Sequence, residues 1–147
     1  MVIFFMEKDL DFLNYMYKNS KMGIVGIDDV LSKAKSKDMK DVLYKQKLEY
    51  EGICKEVEKI LEKKEAKVEE ISMMAKVSSS FMSSLKLAED KSDSMIAKMM
   101  IEGTNKGIIE INEKLNNISN ISKETKKIAR KLLKIEQYNL TELKKYL

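Results

Sequence analysis

Apolar side chains recur at alternating steps of three and four residues through the beginning of the chain. The positions that follow this spacing, with Ser20 as the one polar member, are Ile3, Met6, Leu10, Leu13, Tyr17, Ser20, Ile24, Ile27 and Leu31. Side chains at this spacing share one face of an α-helix, so the pattern predicts a long amphipathic helix over about residues 4–33. Such a helix has to bury its apolar stripe against other helices, which favours an all-α bundle. The chain contains no proline and only five glycines, as expected for such a fold.

A second helix is predicted over about residues 37–64, after the short polar stretch KAKSKD. Its stripe contains Met39, Val42, Leu43, Gln46, Tyr50, Ile53, Val57, Ile60 and Leu61. Antiparallel neighbours joined by so short a connection form a helical hairpin. We therefore predict a first hairpin over about residues 4–64.

The pattern of the first hairpin returns later in the chain. SKMGIVGID, residues 20–28, aligns with TNKGIIEIN, residues 104–112, and this pairs Gly23 with Gly107. A third helix is predicted from about residue 92 and a fourth over about 122–146, with Ser122 as its N-cap. We therefore predict a second hairpin over about residues 92–146, and one domain over 1–147 built from a duplicated hairpin.

Residues of about 67–90 join the two predicted hairpins. Met74, Val77, Phe81 and Leu85 give this segment an apolar stripe at helical spacing. It either crosses the length of the bundle as a helix or extends the third helix backwards. The polar cluster DKSDS, residues 90–94, is typical of a helix end and restart, so we favour the crossover.

Glycine inside a helix costs about 1 kcal/mol relative to alanine, so a glycine repeated at matching positions suggests a packing reason. Gly23 and Gly107 lie beside the apolar stripes of the first and third helices. We expect them to let these two helix backbones approach closely across a pseudo-two-fold axis.

Polar residues interrupt all four stripes at one level. Ser20 and Thr104 do so in the first and third helices, and Gln46 and Glu136 do so in the second and fourth. Three residues further along follow Glu49 and Asn139, which complete the six residues of a predicted polar layer. Buried polar groups need partners, so we expect these side chains to cluster.

A duplicated hairpin with polar residues at i and i+3 on its second and fourth helices resembles the ferritin-like superfamily. The resemblance implies an up-down four-helix bundle in which Gln46–Glu49 and Glu136–Asn139 stand where metal-binding members have Glu-x-x-His. The chain has no histidine, so we expect no di-iron centre, no catalytic metal and no cofactor. Within the superfamily it resembles small or coat-type proteins of spore-forming Gram-positive bacteria.

Further features bound the function. Without histidine, a Ser/His/Asp or Cys/His site is excluded, and Cys54 is interpreted as a packed thiol in a reducing compartment. The last predicted helix carries a basic face (Lys123, Lys126, Lys127, Arg130, Lys131 and Lys134) without interleaved aromatic residues, so nucleic acid is not expected. No apolar run is long enough to cross a membrane. The eleven methionines either fill the core or line a pliant groove.

These observations support two hypotheses. The first is a non-catalytic structural or protein-interaction bundle, cytoplasmic or spore-associated, that forms a homodimer or binds another protein. The alternative is a binding protein that holds a metal ion or a small ligand in the polar centre. An enzyme is not expected.

Overall fold

The computed structural model describes residues 2–66 and 92–147, which form four α-helices. These are α1 (Val2–Leu31), α2 (Lys37–Lys63), α3 (Asp93–Asn117) and α4 (Lys123–Lys144). None of the described residues lies in a β-strand. The prediction of an all-α protein with four packed helices is confirmed, and the predicted helix bounds agree to within about two residues.

Helices α2, α3 and α4 begin in the same way, with a serine whose hydroxyl accepts a hydrogen bond from a backbone N–H three residues ahead. The pairs are Met39 to Ser36 at 3.1 Å, Met95 to Ser92 at 3.3 Å and Thr125 to Ser122 at 3.1 Å. A cap of this kind stabilises a helix by about 1 kcal/mol. The predicted N-cap at Ser122 is confirmed. Because Ser92 caps α3, this helix does not continue backwards, and that alternative is wrong.

Two aspartates tie each hairpin to the turn of the other. The carboxylate of Asp9, near the start of α1, accepts a hydrogen bond from the backbone N–H of Ser122 at 2.8 Å. The carboxylate of Asp93, at the start of α3, accepts hydrogen bonds from the backbone N–H groups of Lys35 and Ser36 at 2.7 and 2.9 Å. The two aspartates are separated by the same 84 residues as Gly23 and Gly107.

These contacts establish the directions of the helices. The end of α2 lies beside the start of α1, because Lys64 Nζ is 3.5 Å from the Asp9 carboxylate. The start of α3 instead lies beside the α1–α2 turn, through Asp93. Therefore α2 and α3 run in the same direction, and α1 and α3 are antiparallel. The predicted crossover at about 67–90 lies outside the described residues, and its helical conformation stays a prediction.

The core lies along the axis between the two hairpins, where both contribute fully buried side chains. The largest of these are Phe12, Leu13, Met16, Ile27, Met39, Leu43, Ile53, Leu61, Ile96, Ile111 and Leu132. On α1 the predicted stripe is partly displaced, since Leu10 and Tyr17 are only half-buried. Because α1 contacts α2, α3 and α4, residues beside the predicted stripe, such as Phe12, Met16 and Val30, are fully buried instead.

Candidate functional site

Gly23 and Gly107 each make room for a side chain of the hairpin partner. A Cβ atom at Gly23 would lie 2.7 Å from the Tyr50 ring, and one at Gly107 would lie 2.7 Å from Glu136 Oε2. We predicted that the missing side chains would bring the backbones of α1 and α3 together, and these distances do not support that role. The missing side chains accommodate residues of α2 and α4 instead.

Between α1 and α3 lies a cavity of about 140 Å³, which we call the α1–α3 cavity. Gly23 and Gly26 lie on its α1 side, and Gly103 lies on its α3 side. A Cβ atom at Gly26 or Gly103 would meet no atom within 4 Å. At this level the helix glycines thus leave open space where backbone contact was expected.

Three of the described methionines line the α1–α3 cavity. Met22 lies on the α1 side, and Met99 and Met100 lie on the α3 side. Thioether side chains are flexible and polarizable, so they adapt to occupants of different shape. Both alternatives for the methionines occur among the described residues, because Met16 and Met39 fill the core while Met22, Met99 and Met100 line this cavity.

The ionisable group of the cavity is Glu136 from α4, which is 2% exposed. Its Oε1 accepts a hydrogen bond from Asn19 Nδ2 at 2.7 Å. Its Oε2 is buried and has no hydrogen-bond partner among the described residues. Burial raises the pKa of Glu136 to about 7, against the opposing effect of the Asn19 hydrogen bond. The carboxyl group therefore titrates near neutral pH.

Tyr50 from α2 also lines the α1–α3 cavity. Burial raises the pKa of its hydroxyl, and the negative charge of Glu136 raises it further, while Asn139 and Thr104 near the hydroxyl act in the opposite direction. Tyr50 is consequently a neutral phenol, and its ring lies against Gly23. Thr104 also lines the cavity and donates its hydroxyl to the Met100 carbonyl at 2.8 Å.

The structure brings part of the predicted polar layer together. Thr104, Glu136 and Asn139 are buried and lie around Tyr50. Ser20 and Gln46 are also buried, at 0% and 2% exposure, and each has a polar atom without a partner among the described residues. An unsatisfied buried polar atom costs about 1–3 kcal/mol, so the layer is not the fully hydrogen-bonded arrangement that we expected.

Glu49 lies at the edge of this layer. It is only partly buried, and burial raises its pKa while Lys45 on the same helix acts in the opposite direction. Over residues 2–66 and 92–147, no three or more acidic or cysteine side chains come close enough to hold a metal ion.

Two other candidates have structural explanations. Burial raises the pKa of the Cys54 thiol to about 11, so it stays protonated and is a poor nucleophile at neutral pH. The predicted basic face lies on the surface of α4, where Lys131 pairs with Glu56 at 3.0 Å. Neither feature adds a reactive group to the α1–α3 cavity.

The residues that connect α1 to the second hairpin were not predicted from the sequence. Asn19 holds Glu136, and Tyr15 donates its hydroxyl to Glu110 Oε2 at 2.6 Å. Asp9 and Asp93 were likewise unnoticed, although their separation by 84 residues matches that of the two glycines. That shared offset was the one signal in the sequence that could have found them.

Comparisons with protein-family models, with curated proteins and with solved structures find no match to this chain. In the described part of the chain, none of the helices combines the length and the apolar character that a membrane span requires. The ferritin-like resemblance therefore stays a prediction, and the function has to be argued from the cavity.

Proposed function

We propose that this protein is a non-catalytic helical bundle that binds a small organic molecule in the α1–α3 cavity. The alternative hypothesis from the sequence was a protein that binds a metal ion or a small ligand, and this proposal selects the small ligand. The observation that carries it is a cavity of about 140 Å³ that combines methionine and glycine walls with a buried, half-satisfied carboxyl group. Cavities of about this size hold molecules as large as benzene.

The glycines on the cavity walls support this proposal. Gly26 and Gly103 lie inside helices, where each destabilises the fold by about 1 kcal/mol relative to alanine. Packing does not require them, because a Cβ atom at either position would meet nothing within 4 Å. Gly103 is exposed and Gly26 is partly buried, so the missing side chains leave this wall of the cavity open to an occupant from solvent.

The chemistry of the site supports binding over catalysis. Glu136 is the ionisable carboxyl group that lines the cavity, and the buried Cys54 thiol does not line it. A covalent mechanism needs a nucleophile beside its base, and a transition-metal site needs several ligands. Because Glu136 has neither kind of partner here, we assign it to recognition.

We test the proposal with protein labelled at the methionine methyl groups with ¹³C. Small amines, alcohols, amides and carboxylates of up to about seven heavy atoms are added, and methyl resonances are followed by NMR. We expect larger shifts at Met22, Met99 and Met100 than at Met39, which is fully buried and does not line the cavity. No response to any compound at the cavity methionines would overturn the proposal.

Cavity-filling variants provide the matched control. Gly26→Leu and Gly103→Leu each place a side chain at the cavity wall, and we expect them to weaken or abolish the shifts. Gly52→Leu makes the same change at a helix glycine with open space that does not line the cavity. Equal loss of binding in all three variants would count against the site.

The first hypothesis from the sequence, a structural or partner-binding bundle, is the second candidate. It is favoured by Tyr44 and Leu48, which lie one turn apart on α2 and are 54% and 49% exposed. A second copy of the chain covering this face would produce the predicted homodimer. Sedimentation of the protein and of Leu48→Lys tests this, with a monomer in both cases as the contrary result.

We also propose that the chain is a ferritin-like bundle derived from a duplicated hairpin. Support comes from Asp9 and Asp93, which lie at equivalent positions of the two halves and hold the opposite turns. The shared direction of α2 and α3 is a further argument, since a long crossover gives this arrangement. The bacterial source and the cytoplasmic or spore-associated location stay predictions from the sequence. A structure of a relative that spans both halves would test the duplication.

A further inference from the structure

The α1–α3 cavity has an electrostatic character that narrows the class of its ligand. Glu136 lines it, and no lysine or arginine does in the described part of the chain. Three titratable groups face Glu136 from the other helices: Tyr15 on α1, Tyr50 on α2 and Glu110 on α3. All of them are neutral or negative. The charge of the cavity walls therefore disfavours the binding of anions.

The hydrogen-bonding capacity left at Glu136 indicates what the occupant supplies. Oε1 accepts one hydrogen bond from Asn19, which also lines the cavity, and can accept another, while Oε2 lies against Gly107 without a partner. An ionised carboxylate accepts only, so the missing group is a donor, and a charged donor compensates burial best. Divalent metals need several oxygen ligands, and the described residues contain no group of three or more acidic or cysteine side chains that could hold a metal ion.

The remaining walls fit the apolar part of such a donor. The Tyr50 ring lies against Gly23 and lines the cavity, and aromatic faces attract cations. Met22, Met99 and Met100 supply adaptable apolar surface around it. The volume of about 140 Å³ allows about five to seven heavy atoms in total.

We infer that the ligand of the α1–α3 cavity is a small primary ammonium ion with an apolar body, whose NH₃⁺ group pairs with the Glu136 carboxylate. This inference rests on the proposed binding function and names its ligand class. Binding is coupled to protonation, because the ammonium ion requires the ionised form of Glu136. Below the pKa of this carboxyl group, each ligand that binds therefore releases one proton from the protein.

The test uses isobutylammonium, the isosteric isobutanol, and isobutyrate as an anion of similar size. Each is titrated into methionine-labelled protein at about pH 8, and dissociation constants are taken from the methyl shifts of Met22, Met99 and Met100. We expect isobutylammonium to bind at least about tenfold more tightly than isobutanol, because a charge-assisted hydrogen bond is stronger than a neutral one. Isobutyrate should bind most weakly.

The same titration at about pH 5.5 tests the role of Glu136. With its pKa at about 7, only a small fraction of the carboxyl group is ionised at that pH. Isobutylammonium should therefore bind about 30-fold more weakly than at pH 8, while isobutanol should change little. The Glu136→Gln variant, which keeps the shape of the side chain, should bind amine and alcohol about equally and show no such pH dependence.

The outcomes separate this inference from the proposed function. If isobutanol or isobutyrate binds as tightly as the amine, or Glu136→Gln keeps the preference for the amine, the ammonium assignment is wrong while the binding function stands. If no probe shifts the methionine resonances, the inference is overturned and the proposed function loses support as well. Gly52→Ala should leave every probe's affinity unchanged, because Gly52 does not line the cavity.

Discussion

The two hairpins place a glycine at equivalent positions but use the space differently. In the first, Gly23 on α1 accommodates the ring of Tyr50 from α2. In the second, Gly107 on α3 accommodates the carboxyl group of Glu136 from α4. The first hairpin therefore contributes an aromatic face at this level, and the second contributes an ionisable group. Two helices with similar apolar stripes can therefore contribute to chemically different sites, because the residue that packs against the glycine differs.

The largest expected effect concerns the charge that distinguishes the second hairpin. The pKa of Glu136 is about 7 in the folded protein against an ordinary value of 4.5, so the folded state keeps a proton that the unfolded chain releases. The stabilisation that comes from this bound proton is fully present below the pKa of the unfolded chain and is lost as the pH rises through about 7. We expect a loss of about 2–3 kcal/mol in the free energy of unfolding between about pH 5 and pH 8.

Urea unfolding of the wild type and of Glu136→Gln across this range measures the effect. The variant should lack the part of the slope that Glu136 contributes, while contributions from other groups such as Glu49 remain in both proteins. Parallel stability profiles would mean that Glu136 titrates normally and that the two hairpins do not differ in this respect.

The next effect compares the two close glycines directly. Gly23→Ala forces the Tyr50 ring to move, and we expect a net loss of about 1–2 kcal/mol because ring and helix have little freedom to adjust. Gly107→Ala meets the end of a flexible side chain, so relaxation and the better helix propensity of alanine should leave a smaller loss. Thermal unfolding of both variants measures the difference. A larger loss for Gly107→Ala would show that Glu136 is held more rigidly than the ring.

A smaller effect tests where the hairpins are alike. Asp9→Asn and Asp93→Asn each weaken a charge-assisted hydrogen bond to the opposite turn, and we expect each to cost about 1 kcal/mol. Burial opposes ionisation of Asp93, but the backbone N–H groups of Lys35 and Ser36 lower its pKa overall. The stabilisation by Asp93 should therefore be lost as the pH falls through its pKa. Chemical unfolding at neutral and acidic pH measures both variants, and a cost confined to one aspartate would break the similarity.

The smallest expected effect separates open glycines from close ones. Gly26→Ala and Gly52→Ala add a Cβ atom that meets nothing within 4 Å, so each should stabilise the protein by about 0.5–1 kcal/mol. Melting temperatures of the two variants provide the measurement. Destabilisation by Gly26→Ala would mean that the cavity wall is tighter than its geometry indicates.

Much of the fold could be predicted from local patterns. The spacing of apolar residues located all four helices, and Ser122 was recognised as an N-cap because capping depends on a few neighbouring residues. The end of the fourth helix was predicted at about residue 146, whereas α4 ends at Lys144 and the terminal Leu147 is 65% exposed. Local patterns carry little information about where packing stops.

The candidate site was only half predictable. Glu136, Asn139 and Thr104 were expected in a buried polar layer because they interrupt apolar stripes, and they are buried. Asn19 was missed because it lies beside the stripe of α1, and its role arises from contact with a residue 117 positions away. No periodicity within one helix reports such a contact.

The sequence by itself determined the helical class, the helix bounds and the polar interruptions, because these follow from side-chain spacing and capping within single helices. Only the tertiary structure decided what the glycines do. A missing side chain can bring two backbones together, make room for a neighbouring side chain or leave a cavity. Which of these occurs depends on the residues of other helices that lie at the same level, and the packing of all four helices determines those residues.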